Sequence, residues 1–334
     1  MTSEKIPILE IKGLRTQFFL QEGTVTALDG IDLTIYEKES LGIVGETGCG
    51  KSMTAFSILR LVPHPGKITA GSMNFKGVDI AKLDLDQMRG IRGKRISMIF
   101  QDPSTSLDPV FTVGQQLGEV ISLHQNIYDK DALEAQILKA LKLVRIAAPE
   151  SVIRQYPHEL SGGMKQRVMI ALALSCSPEL LIADEPTTAL DVTIQAQVLN
   201  LLKDVVKKTG SSMMLITHNL GVVAETCNRV CIMYAGRIVE EAETFALFGE
   251  PVHPYTRGLL TAFPKLGEQK DELAVIRGTV PNLMKPFPGC SFVDRCDFAM
   301  EQCRKIRPRR LEVAPGHFVS CHLYPVGGEK SDAR

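Results

Sequence analysis

The chain has no apolar run approaching about 18 residues, the length at which a bilayer-spanning helix becomes a candidate. The opening segment MTSEKIPILEIKGLRTQ carries acidic residues and lacks the apolar core of a secretory signal. No charge of either sign predominates: 38 Lys and Arg offset 38 Asp and Glu. The basic excess expected of a nucleic-acid-binding surface is therefore missing. No internal repeat, low-complexity tract or heptad stretch is visible either. These absences mean that a membrane role needs separate spanning partners, and they weigh against nucleic acid. Eight cysteines without a signal sequence read as reduced thiols of a cytoplasmic chain rather than as disulfides.

What is present fits a globular chain of 334 residues, long enough for one large domain or two modest ones. Strands are expected at 9–12, 25–35 and 41–44, and near-continuous apolar strands at 96–100, 180–183 and 213–216. Such runs suit central parallel strands covered on both faces. Ile194, Val198, Leu201, Leu202 and Val205 share one stripe of a helix over 193–208. The alternation predicts an α/β domain over 1–250. Within it, 102–156 reads as a helical insertion that includes a helix at 131–146. Beyond 250, proline recurs from Pro251 to Pro315, which disfavours long helices and central strands. Residues 251–334 therefore read as a small, loop-rich extension.

Gly45, Glu46, Thr47, Gly48, Cys49, Gly50, Lys51 and Ser52 form G-x-x-x-x-G-K-S between an apolar strand and a helix that begins near Met53. That context is what makes the pattern a phosphate loop. Glycines let successive N–H groups point inward at phosphate oxygens, and the helix adds the positive end of its dipole. Lys51 is placed to reach the β- and γ-phosphates, and Ser52 to hold Mg²⁺. Cys49 and Met53 are expected to matter little, because backbone atoms do the cradling. Further on, Leu180–Ala183 is an apolar strand ending in Asp184 and Glu185. Two acids after a strand are often only a solvated turn. Beside a phosphate loop they read as an Mg²⁺ ligand and a general base.

Between these motifs stands Leu160-Ser161-Gly162-Gly163-Met164-Lys165-Gln166, about twenty residues ahead of Asp184. It resembles the LSGG-x-x-Q signature of ABC ATPases, and the order of all three motifs matches that family. The resemblance implies a P-loop NTPase (ABC ATPase) core with an antiparallel β subdomain, a helical insertion and a C-terminal extension. It implies that Gln101 senses Mg²⁺ and the attacking water, and that His218 contacts the γ-phosphate. It implies that Ala189-Leu190-Asp191 crosses between subunits and that Phe18 stacks on adenine, although core packing explains Phe18 nearly as well and Phe19 is adjacent. Two such domains would sandwich two ATP molecules, each loop completed by Ser161, Gly162, Gly163 and Gln166 of the opposite subunit.

Four of the cysteines, Cys290, Cys296, Cys303 and Cys321, fall in the extension, separated by five, six and seventeen residues. None makes the C-x-x-C pair common in structural zinc sites. Spacing leaves zinc, an iron–sulfur cluster, a disulfide pair or unrelated thiols open. The segments HPYTRGLL (253–260), PGCSFVDRC (288–296) and CHL (321–323) resemble the extension of oligopeptide/dipeptide importer ATPases, which implies a [4Fe-4S] cluster on these four. Cys176, Cys227 and Cys231 read as small buried hydrophobes. The same resemblance implies peptide uptake through two transmembrane permease subunits, a second ATPase subunit (identical or homologous) and, indirectly, an extracytoplasmic solute-binding protein. It places the chain on the cytoplasmic face of the membrane. Importers of nickel, glutathione or sugar are alternatives, as is a soluble ABC ATPase on nucleic acid or ribosomes. The absence of a long coiled-coil insertion and of a second ATPase domain argues against that last reading. A degenerate, regulatory partner is disfavoured because Lys51, Gln101, Asp184, Glu185 and His218 are intact.

Overall fold

The computed structural model describes residues 5–188, 191–262, 276–285 and 287–324. Ala189 and Leu190 of the expected inter-subunit loop lie outside the described residues, as do Pro264 and Pro286 of the extension. The N-terminal part holds β1 (Pro7–Leu20), β2 (Gly23–Tyr36), β3 (Ser40–Val44), α1 (Lys51–Ile58), β4 (Gly66–Phe75) and β5 (Val78–Asp79). A largely helical stretch follows, with α2 (Leu85–Arg89), β6 (Ile96–Ile99), α3 (Pro103–Ser106), α4 (Val113–Gln125), α5 (Lys130–Leu143), α6 (Pro149–Val152) and α7 (Gly162–Leu174). Next come β7 (Leu180–Asp184), α8 (Val192–Thr209) and β8 (Ser212–Thr217). The rest holds α9 (Leu220–Thr226), β9 (Arg229–Tyr234), β10 (Arg237–Glu243), α10 (Thr244–Gly249), α11 (Pro254–Thr261), α12 (Glu301–Lys305), β11 (Leu311–Ala314) and β12 (His317–Val319). These elements divide into two compact units, each assembled from separated pieces of chain.

One unit comprises Met1–Ile8, Ile35–Ser40 and Lys82–Ile216. In it β6, β7 and β8 run parallel, with Ile96 opposite Leu180 and Asp184 opposite Ile216. Every residue of β6 and β7 is buried, as continuous apolar runs require of strands covered on both faces. Between β6 and β7 the chain is helical, and no strand falls in 102–156 among the described residues. The helix α4 starts at a capping box, where Thr112 accepts from the Gln115 amide and the Gln115 side chain accepts from Thr112 N–H. Asp129 caps α5 by accepting from the Ala132 amide. These helices bury Leu117, Ile121, Ile137 and Leu141, and both pack on α7.

The other unit comprises Leu9–Thr34, Leu41–Ala81 and Thr217–Arg334. Its first sheet has the order β2-β1-β4-β5, with β1 antiparallel to β4 and β4 to β5. The strand β1 is longer than the sequence suggests, because register shifts between Lys12 and Thr16 interrupt its alternation. In the second sheet β3 pairs parallel with β9, and antiparallel pairings run on from β9 through β10 and β12 to β11. The extension is thus more regular than its proline content predicts. Its strands β11 and β12 join the sheet edge, and the flanking Pro308 and Pro315 fall outside both strands. Val319, Cys321 and Tyr324 form a small apolar cluster there with Val252, Leu311, Val313 and Leu323.

Candidate nucleotide site

The loop after β3 has the geometry its glycines allow. A Cβ on Gly45 would lie 2.1 Å from the Met233 carbonyl oxygen, and Gly50, at φ 106°, caps the start of α1 in a conformation that other residues rarely adopt. Thr47 and Gly48 are exposed at the loop tip. Lys51 is only 5% exposed and donates through Nζ to the carbonyls of Gly45 (2.8 Å) and Glu46 (3.0 Å). The cation is thereby laid along the loop. Ser52 and Met53 are half-buried in the first turn of α1. Cys49 departs from the expectation that its side chain matters little. It is completely buried, and Sγ lies 2.7 Å from where a Gly45 Cβ would sit. Burial pushes its thiol pKa up.

Two residues that sequence reasoning did not single out hold this loop from the extension. The Glu46 amide donates to the Tyr255 hydroxyl (3.0 Å). The Glu46 carboxylate receives both Nη1 (2.7 Å) and Nη2 (3.0 Å) of Arg295. Tyr255 is fully buried on α11, packed against Tyr234 and Phe292, and burial drives its pKa above the ordinary tyrosine range. The segment His253-Pro254-Tyr255 has a local logic. His253 Nδ1 caps α11 by accepting from Tyr255 N–H (3.1 Å), proline occupies the first turn, and Tyr255 faces the loop. The hydrogen-bond partners lie 209 and 249 positions away in sequence, so no local pattern reveals them.

The carboxylate pair sits in the other unit. Asp184 ends β7 with 3% exposure. Glu185 follows at φ 45°, a left-handed conformation that costs a non-glycine residue on the order of 1–2 kcal/mol. Its amide donates to the Ile216 carbonyl (2.8 Å). Its Oε2 accepts from Gln101 Nε2 (3.1 Å) and from the Thr188 hydroxyl (2.8 Å). The structure thus brings Gln101 and Glu185 together. The strained backbone aims one carboxylate while the strand holds the other. His218 is exposed immediately after β8, and Asn219 behind it caps α9 through the Gly221 and Val222 amides.

Ser161 caps α7, accepting from the Met164 amide (3.4 Å). Both Ser161 and Gly162 are exposed, and a Cβ on Gly162 would meet nothing. On Gly163 it would come within 3.2 Å of Ile194. Gln166 is 1% exposed, and its Nε2 finds no partner among the described residues. In this conformation its amide lies inside the fold and is not presented at the surface. Asp191 caps α8 through the Ile194 amide (2.9 Å). Phe18 is half-buried and packs over Gly66 across the β1–β4 pair, whereas Phe19 is 47% exposed.

All eight cysteines are free thiols, so no disulfide pairs the extension. Cys227 and Cys231 are buried, as expected, and Cys176 is half-buried. Cys290, Cys296, Cys303 and Cys321 line one small cavity together with Phe292, Val293, Phe298 and Leu323. Burial, with the proximity of the other thiols, pushes Cys290 up to about 11 and Cys321 up to about 12. Among the described residues no group of three or more His, Cys, Asp or Glu side chains is disposed to hold a metal ion.

A sequence profile described as ABC transporter matches residues 28–188, and one described as oligopeptide/dipeptide transporter, C-terminal region, matches 239–303. The chain belongs to the ABC transporter family and is one of its ATP-hydrolysing, ATP-binding subunits. It is 53% identical over 317 residues to a probable peptide ABC transporter ATP-binding protein of Sinorhizobium fredii, covering 94% of each chain. It is 48% identical to an oligopeptide transport ATP-binding protein of Bacillus subtilis, across 96% of this chain and 98% of that one. Among solved structures, a dimeric ATP-binding cassette in a post-hydrolysis state with ADP and Pi aligns at a TM-score of 0.64 and 27% identity. That alignment covers 71% of this chain and 98% of the other.

Proposed function

We propose that this chain powers uptake of di- or oligopeptides, working as a pair of ATPase subunits beneath two transmembrane permease subunits. The observation that carries the reading is the phosphate loop joined, in one unit, to an extension of the oligopeptide/dipeptide type. No described helix is long and apolar enough to cross a membrane, so translocation falls to other chains. Attachment is then peripheral, on the cytoplasmic face. A solute-binding protein would act on the opposite face without touching this chain.

In this reading residues 45–52 collect the triphosphate through backbone N–H groups and Lys51. By the family resemblance, Ser52, Asp184 and Gln101 would supply oxygens to Mg²⁺, which would neutralise charge on the transferred phosphoryl group. Glu185, steadied by Gln101 and Thr188, accepts a proton from the attacking water, and His218 contacts the γ-phosphate. Ser161, Gly162 and Gly163 present an open helix start to a second subunit's nucleotide. Gln166 would have to turn outward to join that contact, since its side chain lies inside the fold in this conformation. Asp191 belongs to the inter-subunit loop, and Phe18 offers its ring to adenine. Glu185→Gln is expected to keep ATP binding, lose turnover and accumulate as a closed dimer. Undiminished hydrolysis would remove Glu185 from the role. Co-purified permeases in vesicles should show ATPase stimulated by peptide, whereas stimulation by nickel, glutathione or a sugar instead would reassign the solute.

A [4Fe-4S] cluster on Cys290, Cys296, Cys303 and Cys321 is supported by their donor chemistry alone, since their side chains do not converge as a metal-holding group in this conformation. Four unpaired thiols surround a single apolar cavity. A cluster lets each thiolate take a different iron, whereas zinc needs all four sulfurs converging on one ion. Raised thiol pKa values mean that loading must release protons. Such a cluster would act structurally, tying together a segment with only a small apolar core. Anaerobically purified protein should be brown, with iron and sulfide in near-equal amounts. A colourless, zinc-loaded preparation would decide for zinc.

A further inference from the structure

Glu46 places a carboxylate inside a loop that receives a polyanion. Left uncompensated, that charge opposes nucleotide binding, because two like charges a few ångströms apart in a partly desolvated site repel strongly. We propose that Arg295, from the cysteine-bearing extension, is a positioning residue of the nucleotide site that cancels the Glu46 charge and fixes the first half of the phosphate loop. The inference rests on the reading of residues 45–52 as the triphosphate site.

The arginine is built in rather than draped over the surface. Its side chain is 7% exposed against 26% for Glu46. The fork grips both carboxylate oxygens, a geometry that Lys cannot reproduce. The far side of the guanidinium is fixed too. Its Nε donates to the Arg277 carbonyl (2.9 Å), Nη2 to the Ile276 carbonyl (3.3 Å) and Nη1 to the Tyr234 hydroxyl (3.3 Å). The cation also stands 5.7 Å from the Tyr234 ring centre and 5.9 Å from that of Phe292. Tyr255 takes the Glu46 amide, and Lys51 takes its carbonyl. Glu46 is therefore held at side chain, amide and carbonyl together. Its carboxylate is turned to Arg295. Cys296 is the next residue after Arg295, so the same turn that carries a cysteine of the cavity carries the clamp.

Mg·ATP binding to the full chain, followed by titration calorimetry, tests this with four variants. Arg295→Met should weaken binding about tenfold or more, and the loss should shrink as salt rises, since repulsion is screened. Arg295→Lys should recover only part of it. Glu46→Gln/Arg295→Met should return to within about threefold of wild type, because the repulsion is removed with the carboxylate. Wild-type affinity in Arg295→Met overturns the proposal. So does a double variant as weak as the single one, which would mean that Arg295 only holds up the extension. Lys51→Ala separates the two levels: if it binds Mg·ATP normally, the loop reading itself fails. If Lys51→Ala loses binding while Arg295→Met does not, only the Arg295 clamp fails.

Discussion

At the scale of single residues, the phosphate loop is specified by steric exclusion as much as by flexibility. Gly45 and Gly48 make the contrast. A methyl group on Gly45 would meet the Met233 carbonyl at 2.1 Å, whereas Gly48, at φ 80°, has nothing within reach. Gly45→Ala must therefore move backbone, at a cost of about 1–3 kcal/mol, and should abolish measurable ATP binding. Gly48→Ala pays only the left-handed backbone penalty of about 1–2 kcal/mol and should still bind. Equal affinities for the two variants in a nucleotide titration would contradict this division. The loop was legible in sequence because every residue it needs is within eight positions. Tyr255 and Arg295 were not, because what they do for Glu46 is decided by tertiary contact. Cys49 departs from its motif for a related reason: a motif shows which atoms face the ligand, not which side chains face the core.

At the scale of elements, legibility followed burial pattern. The helix α8 is visible because it is long with one apolar stripe, and the strands β6, β7 and β8 because they are buried throughout. The strand β4 went unread because its first half is largely exposed and Gly71 interrupts it. The strands β11 and β12 are four and three residues long between prolines and glycine, too short for periodicity to register. Helix caps also fix where elements begin, and one of them carries a second expected role. Asp191 both starts α8, through the Ile194 amide, and belongs to the proposed inter-subunit loop. Asp191→Ala should lower the chain's unfolding free energy by about 1 kcal/mol, while Asp191→Asn, an equally good cap, should leave it unchanged. Denaturant melts of both variants separate capping from assembly. An Asn variant as unstable as the Ala variant would mean that charge, not capping, is what α8 requires.

At the scale of the whole molecule, the extension is fastened to its unit by a buried polar network whose charge depends on pH. Burial alone would raise the Glu240 pKa. Hydrogen bonds from His317 Nε2 (2.8 Å) and from the Val252 and His253 amides (2.9 and 2.8 Å) outweigh that and hold it below the ordinary glutamate range. Its contribution is complete above about pH 4.3 and is lost as pH falls through the lowered value. His253 acts at higher pH. Complete burial drives it down to about 4, against the attraction of Glu240 and with the help of Arg257. Between about pH 6.5 and 4 the unfolded chain takes up a proton on this ring that the folded chain refuses, so stability rises with pH across that window. The loss on acidification from 6.5 to 4 is about 3 kcal/mol at most for this residue. Urea unfolding of the full chain at pH 4.5, 5.5, 6.5 and 7.5 should show the decline. His253→Asn keeps an acceptor for the Tyr255 amide and removes the titration, so its stability should be flatter than that of wild type between pH 4.5 and 6.5. Parallel declines in the two proteins would move the pH dependence to another group and leave the His253 cap without a role in it.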